Sequence, residues 1–191
     1  MQIKQIFSCL LLSVIGVGHY NAQETANPEV SSKGKLGVSA VMGHAFIKHN
    51  VDTEKNKFSS AAAFGVNVNY WIADKFAIGV HSDLIFESFV IEEKNGEEDN
   101  SLVEREYPLS VNAVATYKPI HALGLLAGVG EEFSKEKNLE MFLVGLEYMV
   151  ELPHDWELGL SASYEVKNQA YDTLVFGLGV TRLFNLRKSH L

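Results

Sequence analysis

Cysteine is nearly absent from this sequence, and its scarcity excludes several kinds of site. The 191-residue chain contains one cysteine, Cys9, which lies inside the amino-terminal leader described below. Once that leader is removed, no thiol remains for a disulfide bond, a thiolate metal site or a cysteine nucleophile. An exported chain of this size therefore needs another source of stability, and a closed, hydrogen-bonded barrel is one.

Basic residues and long apolar runs are also scarce. The chain has 16 Lys and Arg residues against 24 Asp and Glu residues, with a formal net charge of −8. This balance argues against a nucleic-acid-binding protein, because such proteins concentrate basic residues. Beyond the leader, no apolar run approaches the roughly 20 residues that a membrane-spanning helix needs. The chain is nevertheless 47% hydrophobic, which argues against disorder.

The first 22 residues have the pattern of a secretory signal peptide. Lys4 provides a short positive region, and residues 6–17 are apolar, uncharged and too few to cross a bilayer as a helix. Cleavage after Ala22 is predicted, and cleavage after Gly18 is the alternative. Residues 23–34 are polar and are expected to form a flexible lead-in.

The rest of the chain is dominated by alternation of apolar with small or polar residues. From Ala62 to Ile72 every second residue is apolar, while Gly65, Asn67 and Asn69 stand between them. This period of two predicts a strand whose two faces have different surroundings. Seven further segments of the chain repeat the pattern, which gives eight predicted strands.

Short turns and longer, charged loops alternate between the predicted strands. An even strand number with this rhythm is typical of transmembrane β-barrels, which have short periplasmic turns and longer outer loops. We therefore predict an all-β fold, an eight-stranded antiparallel up-and-down transmembrane β-barrel. The barrel is expected to span residues 35–184 as one domain, and residues 185–191 to form a short periplasmic tail.

Alternation alone leaves open which face meets lipid, because a soluble barrel with an apolar interior alternates too. The second face consists mainly of Gly, Ser, Asn and Glu, and a narrow eight-stranded interior has room mainly for small or polar side chains. The apolar face is therefore predicted to meet lipid. Aromatic residues near both strand ends predict two interfacial girdles, with Tyr70, Phe76, Tyr117, Tyr148 and Trp156 on the turn side and Phe46, Phe58, Phe86, Tyr107, Phe133, Phe142, Tyr164 and Tyr171 on the loop side.

The leader, the eight alternating segments and the closing segment from Phe176 to Phe184 resemble the small eight-stranded outer-membrane β-barrel, porin-like family. The resemblance implies location in the bacterial outer membrane and contact with outer-membrane lipid and lipopolysaccharide. It also implies that the barrel-assembly machinery reads Phe184 as an assembly signal. No nucleic acid is expected as a partner, and the protein is expected to be a monomer.

Arg182 departs from the pattern of this family. In the alternation of β-strand residues it falls at a position predicted to face lipid, where an apolar residue is commoner. Either its side chain snorkels to the periplasmic interface, or a β-bulge turns it inward.

The predicted inward row of side chains is rich in carboxylates. His81 is the only cationic candidate that we assign to this row, and we predict that His81, Asp83 and Glu147 form a polar cluster in the lumen. At least one carboxyl group in it would stay protonated because of crowded like charges. The alternative is a wet lumen whose carboxylates are solvated. The carboxylates assigned to this row are Asp83, Glu87, Glu132, Glu147, Glu151, Glu157 and Glu165.

No catalytic, cofactor-binding or metal site is predicted. Some outer-membrane barrels that this chain resembles hydrolyse acyl chains of lipid A with a His/Ser pair. Here His81 and Ser82 are adjacent and so point to opposite faces of a strand. His44 has Ser59 and Ser60 across a predicted hairpin, without a spacing that marks a catalytic pair. The chain is therefore not expected to be an enzyme.

Two functions remain open from the sequence. The first is a structural or surface-interaction role, with outer loops that meet lipopolysaccharide or other molecules; residues 92–99 form an acidic loop that either bridges calcium to lipid phosphates or is a solvated hairpin tip. The alternative is a small cation-preferring channel through the acidic lumen. An eight-stranded interior is usually filled by side chains, which favours the first function.

Overall fold

The computed structural model describes residues 31–48, 58–94, 100–168 and 170–186. The signal peptide, most of the predicted lead-in and residues 187–191 of the predicted tail lie outside this part of the chain, and these assignments stay predictions. No helix of the described residues is long and apolar enough to cross a bilayer. The ten strands are β1 (Lys35–Lys48), β2 (Phe58–Ala73), β3 (Phe76–Ile85), β4 (Ser88–Lys94), β5 (Asn100–Glu106), β6 (Leu109–Ile120), β7 (Leu123–Phe133), β8 (Leu139–Leu152), β9 (Trp156–Lys167) and β10 (Asp172–Asn185).

Eight of these strands close into an antiparallel barrel, in the order β1-β10-β9-β8-β7-β6-β3-β2. Following cross-strand partners from Gly37 once around the barrel leads back to β1 at Ile47, ten residues farther along. With ordinary strand spacings this stagger implies a tilt of about 40° and about 16 Å between opposite backbones. The interior is therefore only wide enough for side chains, and the predicted fold class is confirmed.

The lipid-facing assignment is also confirmed, because apolar side chains on the strands alternate with buried inward residues. The inward residues include Ser39, Gly65, His81, Asn112, Thr116, Gly159, Gly177 and Thr181. Large apolar side chains are exposed on the outside, among them Met42, Val66, Ile78, Leu109, Leu125, Leu146, Leu160 and Leu178.

The two aromatic girdles are present with one correction. Tyr171 is buried inside the loop end of the barrel, with 3% of its surface exposed, and does not belong to the outer girdle. It lies in the connection between β9 and β10, where strand parity no longer determines direction. The side chain of Phe58 lies outside the described residues, and the other predicted girdle residues are exposed.

Long polar side chains fit inside the narrow barrel because glycines on the neighbouring strands leave space for them. A Cβ atom on Gly79 would overlap Asn69, and one on Gly130 would overlap Asn112 and the backbone carbonyl of Val111. The side-chain oxygens of Asn69 and Asn112 thus lie directly beside these two glycines. This close approach accounts for glycine at positions 79 and 130.

The connection between β3 and β6 is more structured than the loop predicted from the sequence. β4 and β5 pair as a separate two-stranded antiparallel hairpin, with Ser88 opposite Glu106 and Lys94 opposite Asn100. Residues 95–99 of the predicted acidic loop lie outside the described residues. The hairpin belongs to the loop end of the barrel, which is opposite the short turns after β2, β6 and β8.

Candidate functional site

A group of buried charged and polar side chains fills the loop end of the barrel. We call it the mouth cluster, and it consists of Arg105, Glu132, Glu165, Lys167, Tyr171 and Thr173. Glu132 ends the inward row of β7, and Lys167 ends that of β9. Arg105 comes from β5 of the hairpin and is fully buried. The cluster therefore joins the hairpin to the barrel wall.

Arg105 and Glu132 form the central ion pair of the mouth cluster. The Arg105 Nε atom donates a hydrogen bond of 3.0 Å to Oε1 of Glu132, and its Nη2 atom contacts the same oxygen. Nη1 of Arg105 donates to the backbone carbonyl of Lys137 in the loop between β7 and β8. Neither charged side chain of the pair is exposed to solvent. One arginine thus holds the hairpin to two other segments of the chain.

Tyr171 and Lys167 complete the environment of the Glu132 carboxylate. The Tyr171 hydroxyl lies 2.6 Å from both carboxylate oxygens, and Lys167 Nζ lies 3.5 Å from Oε2. Lys167 also donates hydrogen bonds of 2.7 Å to Glu165 and to Thr173. Burial and the neighbouring Glu132 carboxylate raise the pKa of the Tyr171 hydroxyl well above its usual range. Tyr171 therefore stays a hydrogen-bond donor.

The inward face of the hairpin covers an apolar layer next to the mouth cluster. Phe89, Ile91 and Val103 project from the hairpin toward the barrel and are buried. The Phe89 ring meets the Tyr171 ring edge-on, with centroids 5.3 Å apart. The barrel contributes the rest of this layer with Ala45, Ile47, Ala61, Ala63, Ile85, Leu139 and Val175. Several inward positions near the loops are thus apolar, whereas the sequence predicted mainly Gly, Ser, Asn and Glu for the inward face.

The loop between β7 and β8 binds the edge of β5 that does not pair with β4. The Glu104 amide donates a hydrogen bond of 2.8 Å to the Glu136 carboxylate, and the Glu106 amide donates one of 3.1 Å to the Ser134 hydroxyl. Lys135 pairs with the Glu106 carboxylate at 3.3 Å on the surface. These side chains occupy backbone groups of β5 that would otherwise invite pairing with another strand.

A second group of buried side chains closes the interior near the turns. Lys118 Nζ lies 4.3 Å from the centroid of the Trp71 ring and 3.7 Å from the Glu157 carboxylate. Trp71, Lys118 and Glu157 are all buried, and we call them the turn-end cluster. Below it, Lys35 pairs with Asp155 at 3.4 Å. Bulky side chains therefore cross the interior at both ends of the barrel.

The structure places His81, Asp83 and Glu147 on the inward face, as the sequence predicts, but in different surroundings. His81 Nε2 lies 3.0 Å from Oδ1 of Asn69. Asp83 lies in the loop half of β3, between Gly65 of β2 and Ser110 of β6. Glu147 lies in the turn half of β8, between Gly124 of β7 and Ser161 of β9. No hydrogen bond between described residues joins any two of the three, and their action as one cluster stays a prediction.

The inward row contains other charged groups than those predicted from the sequence. His81 is not the only cationic candidate there, because Lys35, Arg105, Lys118 and Lys167 are also buried inside. Glu87 and Glu151 lie at strand ends and are exposed. Parity already pointed to Lys118, which continues the row from Ser110 to Thr116, and to Lys167, which continues the row from Glu157. No signal in the sequence pointed to Arg105, because the hairpin brings it back over the barrel.

The residues considered for catalysis do not form a pair. His44 faces outward and packs against the Phe46 ring, with centroids 5.0 Å apart. Its cross-strand partner is Ala62, whereas Ser59 and Ser60 pair with Ile47 and Phe46. No hydrogen bond links His44 to either serine within the described part of the chain.

Arg182 keeps its outward direction. It pairs in register with Val38 and with Trp156, and no bulge interrupts β10 at this point. The guanidinium carbon lies 5.3 Å from the centroid of the Trp156 ring. Of the two alternatives left open by the sequence, the outward one is correct.

Comparison with known proteins concerns the fold. No family model and no curated protein matches the sequence. Among solved structures, the chain is similar to Ail, the attachment invasion locus protein of Yersinia pestis in complex with the heparin analogue sucrose octasulfate. The TM-score is 0.53 at 14% identity, over 80% of this chain and 99% of that chain. Neisserial surface protein A is similar with a TM-score of 0.50 at 14% identity, over 80% and 100% of the two chains.

The fold is that of the small outer-membrane β-barrels. The resemblance inferred from the sequence is thereby confirmed at the level of fold.

Proposed function

We propose that this protein is a non-enzymatic, monomeric outer-membrane barrel with a structural or surface-interaction role. The observation that carries the proposal is the mouth cluster with its covering hairpin. The Arg105–Glu132 pair is completely buried at the mouth, where a diffusion pore would need water. A barrel closed in this way acts through its outer surface.

The turn-end cluster supports the same function. Trp71 and Lys118 cross the interior near the turns, and each has only 4% of its surface exposed. An ion that passed the mouth would have to displace a second set of paired groups, whose separation is costly in a low-dielectric interior. The channel alternative requires both clusters to rearrange.

The charge of the loop end favours a cationic or cation-bridged partner. Among the described residues of this end, exposed carboxylates outnumber exposed lysines. The carboxylates are Glu87, Glu104, Glu106, Glu136 and Glu140, and the lysines are Lys48, Lys135 and Lys137. The acidic residues 92–99 add to them in the sequence. A polysulfated ligand such as the heparin analogue in the Ail structure would be repelled. Lipopolysaccharide phosphates bridged by divalent cations fit better.

We further propose that Phe184 is the assembly signal recognised by the barrel-assembly machinery. It lies at the end of the last strand, faces outward opposite Leu36, and is 46% exposed. An exposed terminal aromatic of this kind is accessible before the barrel has closed.

Conductance across planar bilayers tests the proposed role. The chain without its leader is refolded and added to a bilayer, and insertion is verified by heat-modifiable migration on gels. Absence of steady unitary currents is expected. Reproducible cation-selective currents would favour the small channel and contradict the closed barrel.

A further inference from the structure

Two hydrogen-bond donors lie side by side on the lipid-facing surface near the turns. Arg182 in β10 and Trp156 in β9 are cross-strand partners, and both point outward. Trp156 is 41% exposed, and the guanidinium carbon is 5.3 Å from the centroid of the indole ring. Stacking on the ring holds the guanidinium in one direction.

No described residue provides an acceptor or a counter-ion for these donors. The two nearest carboxylates along the chain are engaged elsewhere, since Asp155 pairs with Lys35 and Glu157 pairs with Lys118 inside the barrel. The neighbours of Arg182 on the same face are apolar, namely Val38, Val180, Leu158 and Phe184. A guanidinium carries five N–H donors and stays charged. The described residues thus supply no polar partner, and these surroundings point to one that lies outside the barrel.

The position of the pair identifies the chemistry of that partner. Arg182 stands three residues before the end of β10, in the turn-side aromatic girdle with Trp156 and Tyr148. This girdle lies at the level of the lipid headgroups, and the apolar face between it and the loop end is in contact with acyl chains. A phosphate group offers two oxygens to the guanidinium fork, and a third acceptor for the indole N–H.

We propose that Arg182 and Trp156 form a binding site for the phosphate of a glycerophospholipid in the leaflet at the turn end. Arg182 binds the phosphate oxygens, the Trp156 indole N–H binds the phosphate or the adjoining ester, and the acyl chains lie along Val180 and Leu158. The inference requires that the barrel lies in a membrane but does not depend on the role proposed above.

Native mass spectrometry of the refolded protein tests this site. The protein is prepared in non-ionic detergent micelles that contain either a phosphatidylglycerol or the diacylglycerol with the same acyl chains, which lacks the phosphate. The wild-type protein is expected to retain one phosphatidylglycerol and no diacylglycerol. Because a charge-assisted hydrogen bond is lost, Arg182→Gln is expected to weaken retention about tenfold or more. Lys75→Gln removes an exposed cation from the β2–β3 turn, away from the lipid face, and is expected to retain the lipid.

Further variants separate the contributions within the site. Arg182→Lys keeps the charge but not the planar fork, so its retention should fall between those of wild type and Arg182→Gln. Trp156→Phe keeps an apolar ring without the N–H and should also weaken retention. Equal retention by wild type and Arg182→Gln, or equal retention of the two lipids, would overturn the proposal. So would binding that appears only after removal of residues 187–191, because the carboxy-terminal segment would then occupy Arg182.

Discussion

Removing the Arg105 side-chain charge is the most direct perturbation of the mouth cluster. Arg105 makes two contacts with the Glu132 carboxylate and one with the Lys137 carbonyl, and it is fully buried. Breaking a buried ion pair by removal of one partner typically costs about 3–5 kcal/mol. Glu132 would still be bound by Tyr171 and Lys167, so we expect Arg105→Gln to cost about 3 kcal/mol. That corresponds to about a hundredfold change in the folding equilibrium.

The assay is equilibrium unfolding in urea of protein folded into phospholipid vesicles, followed by gel migration and by tryptophan fluorescence. Lys135→Gln is the matched control, because Lys135 also pairs with a carboxylate, at 3.3 Å, but on the surface. Exposed pairs contribute roughly 0–1 kcal/mol, so this control should unfold close to wild type.

The double variant Arg105→Gln/Glu132→Gln isolates the interaction between the two charges. The loss in the double variant should be smaller than the sum of the single losses by at least about 1 kcal/mol, because the second change no longer breaks the pair. If Arg105→Gln were no more destabilising than Lys135→Gln, the mouth would not be held by this ion pair. The proposed closure of the barrel would then lose its main support.

The same unfolding assay tests the close packing at Gly130. Gly130→Ala should cost about 1–3 kcal/mol by overpacking, because its Cβ would overlap the Val111 carbonyl. Gly124→Ala in the same strand is the control and should be tolerated, because its Cβ would meet no atom closer than 3.4 Å. The raised pKa of Tyr171 means that its stabilising effect is complete below the ordinary tyrosine pKa of about 10 and declines above it, by about 1.4 kcal/mol per pH unit, as the unfolded chain ionises. The stability difference between wild type and Tyr171→Phe should accordingly be constant up to about pH 9 and shrink beyond about pH 10. A difference independent of pH would contradict the burial of the Tyr171 hydroxyl beside the Glu132 carboxylate. Phe184→Ala should lower the amount of assembled barrel in cells and leave refolding in vitro intact. Phe176→Ala is the control, because Phe176 has a similar exposure on the same strand. Equal assembly of the two variants would contradict the role of Phe184 as a signal.

Local pattern was sufficient wherever each strand stays regular. Alternation assigned Arg182 to the lipid-facing row and left an inward turn at a bulge as the alternative, and the uninterrupted register of β10 decides for the outward direction. Lys118 and Lys167 obey the same rule and were predictable by extending the inward rows to the strand ends. Glu87 and Glu151 were wrongly assigned to the inward face, because the predicted inward rows had been extended past the last positions whose side chains face the interior.

The sequence by itself determined the eight strands of the barrel and the face that each presents to lipid. These features depend on a period of two, which is a property of neighbouring residues. Only the tertiary structure decided what closes the barrel. Arg105 comes from β5, Glu132 comes from β7, and Lys167 and Tyr171 come from the end of β9 and the connection after it. Alternation predicts that a side chain points inward, but it does not predict the height of that side chain in the barrel or its partner. The fold-back of the β4–β5 hairpin and the stagger of the closed sheet bring these three segments together, and both depend on contacts between distant parts of the chain.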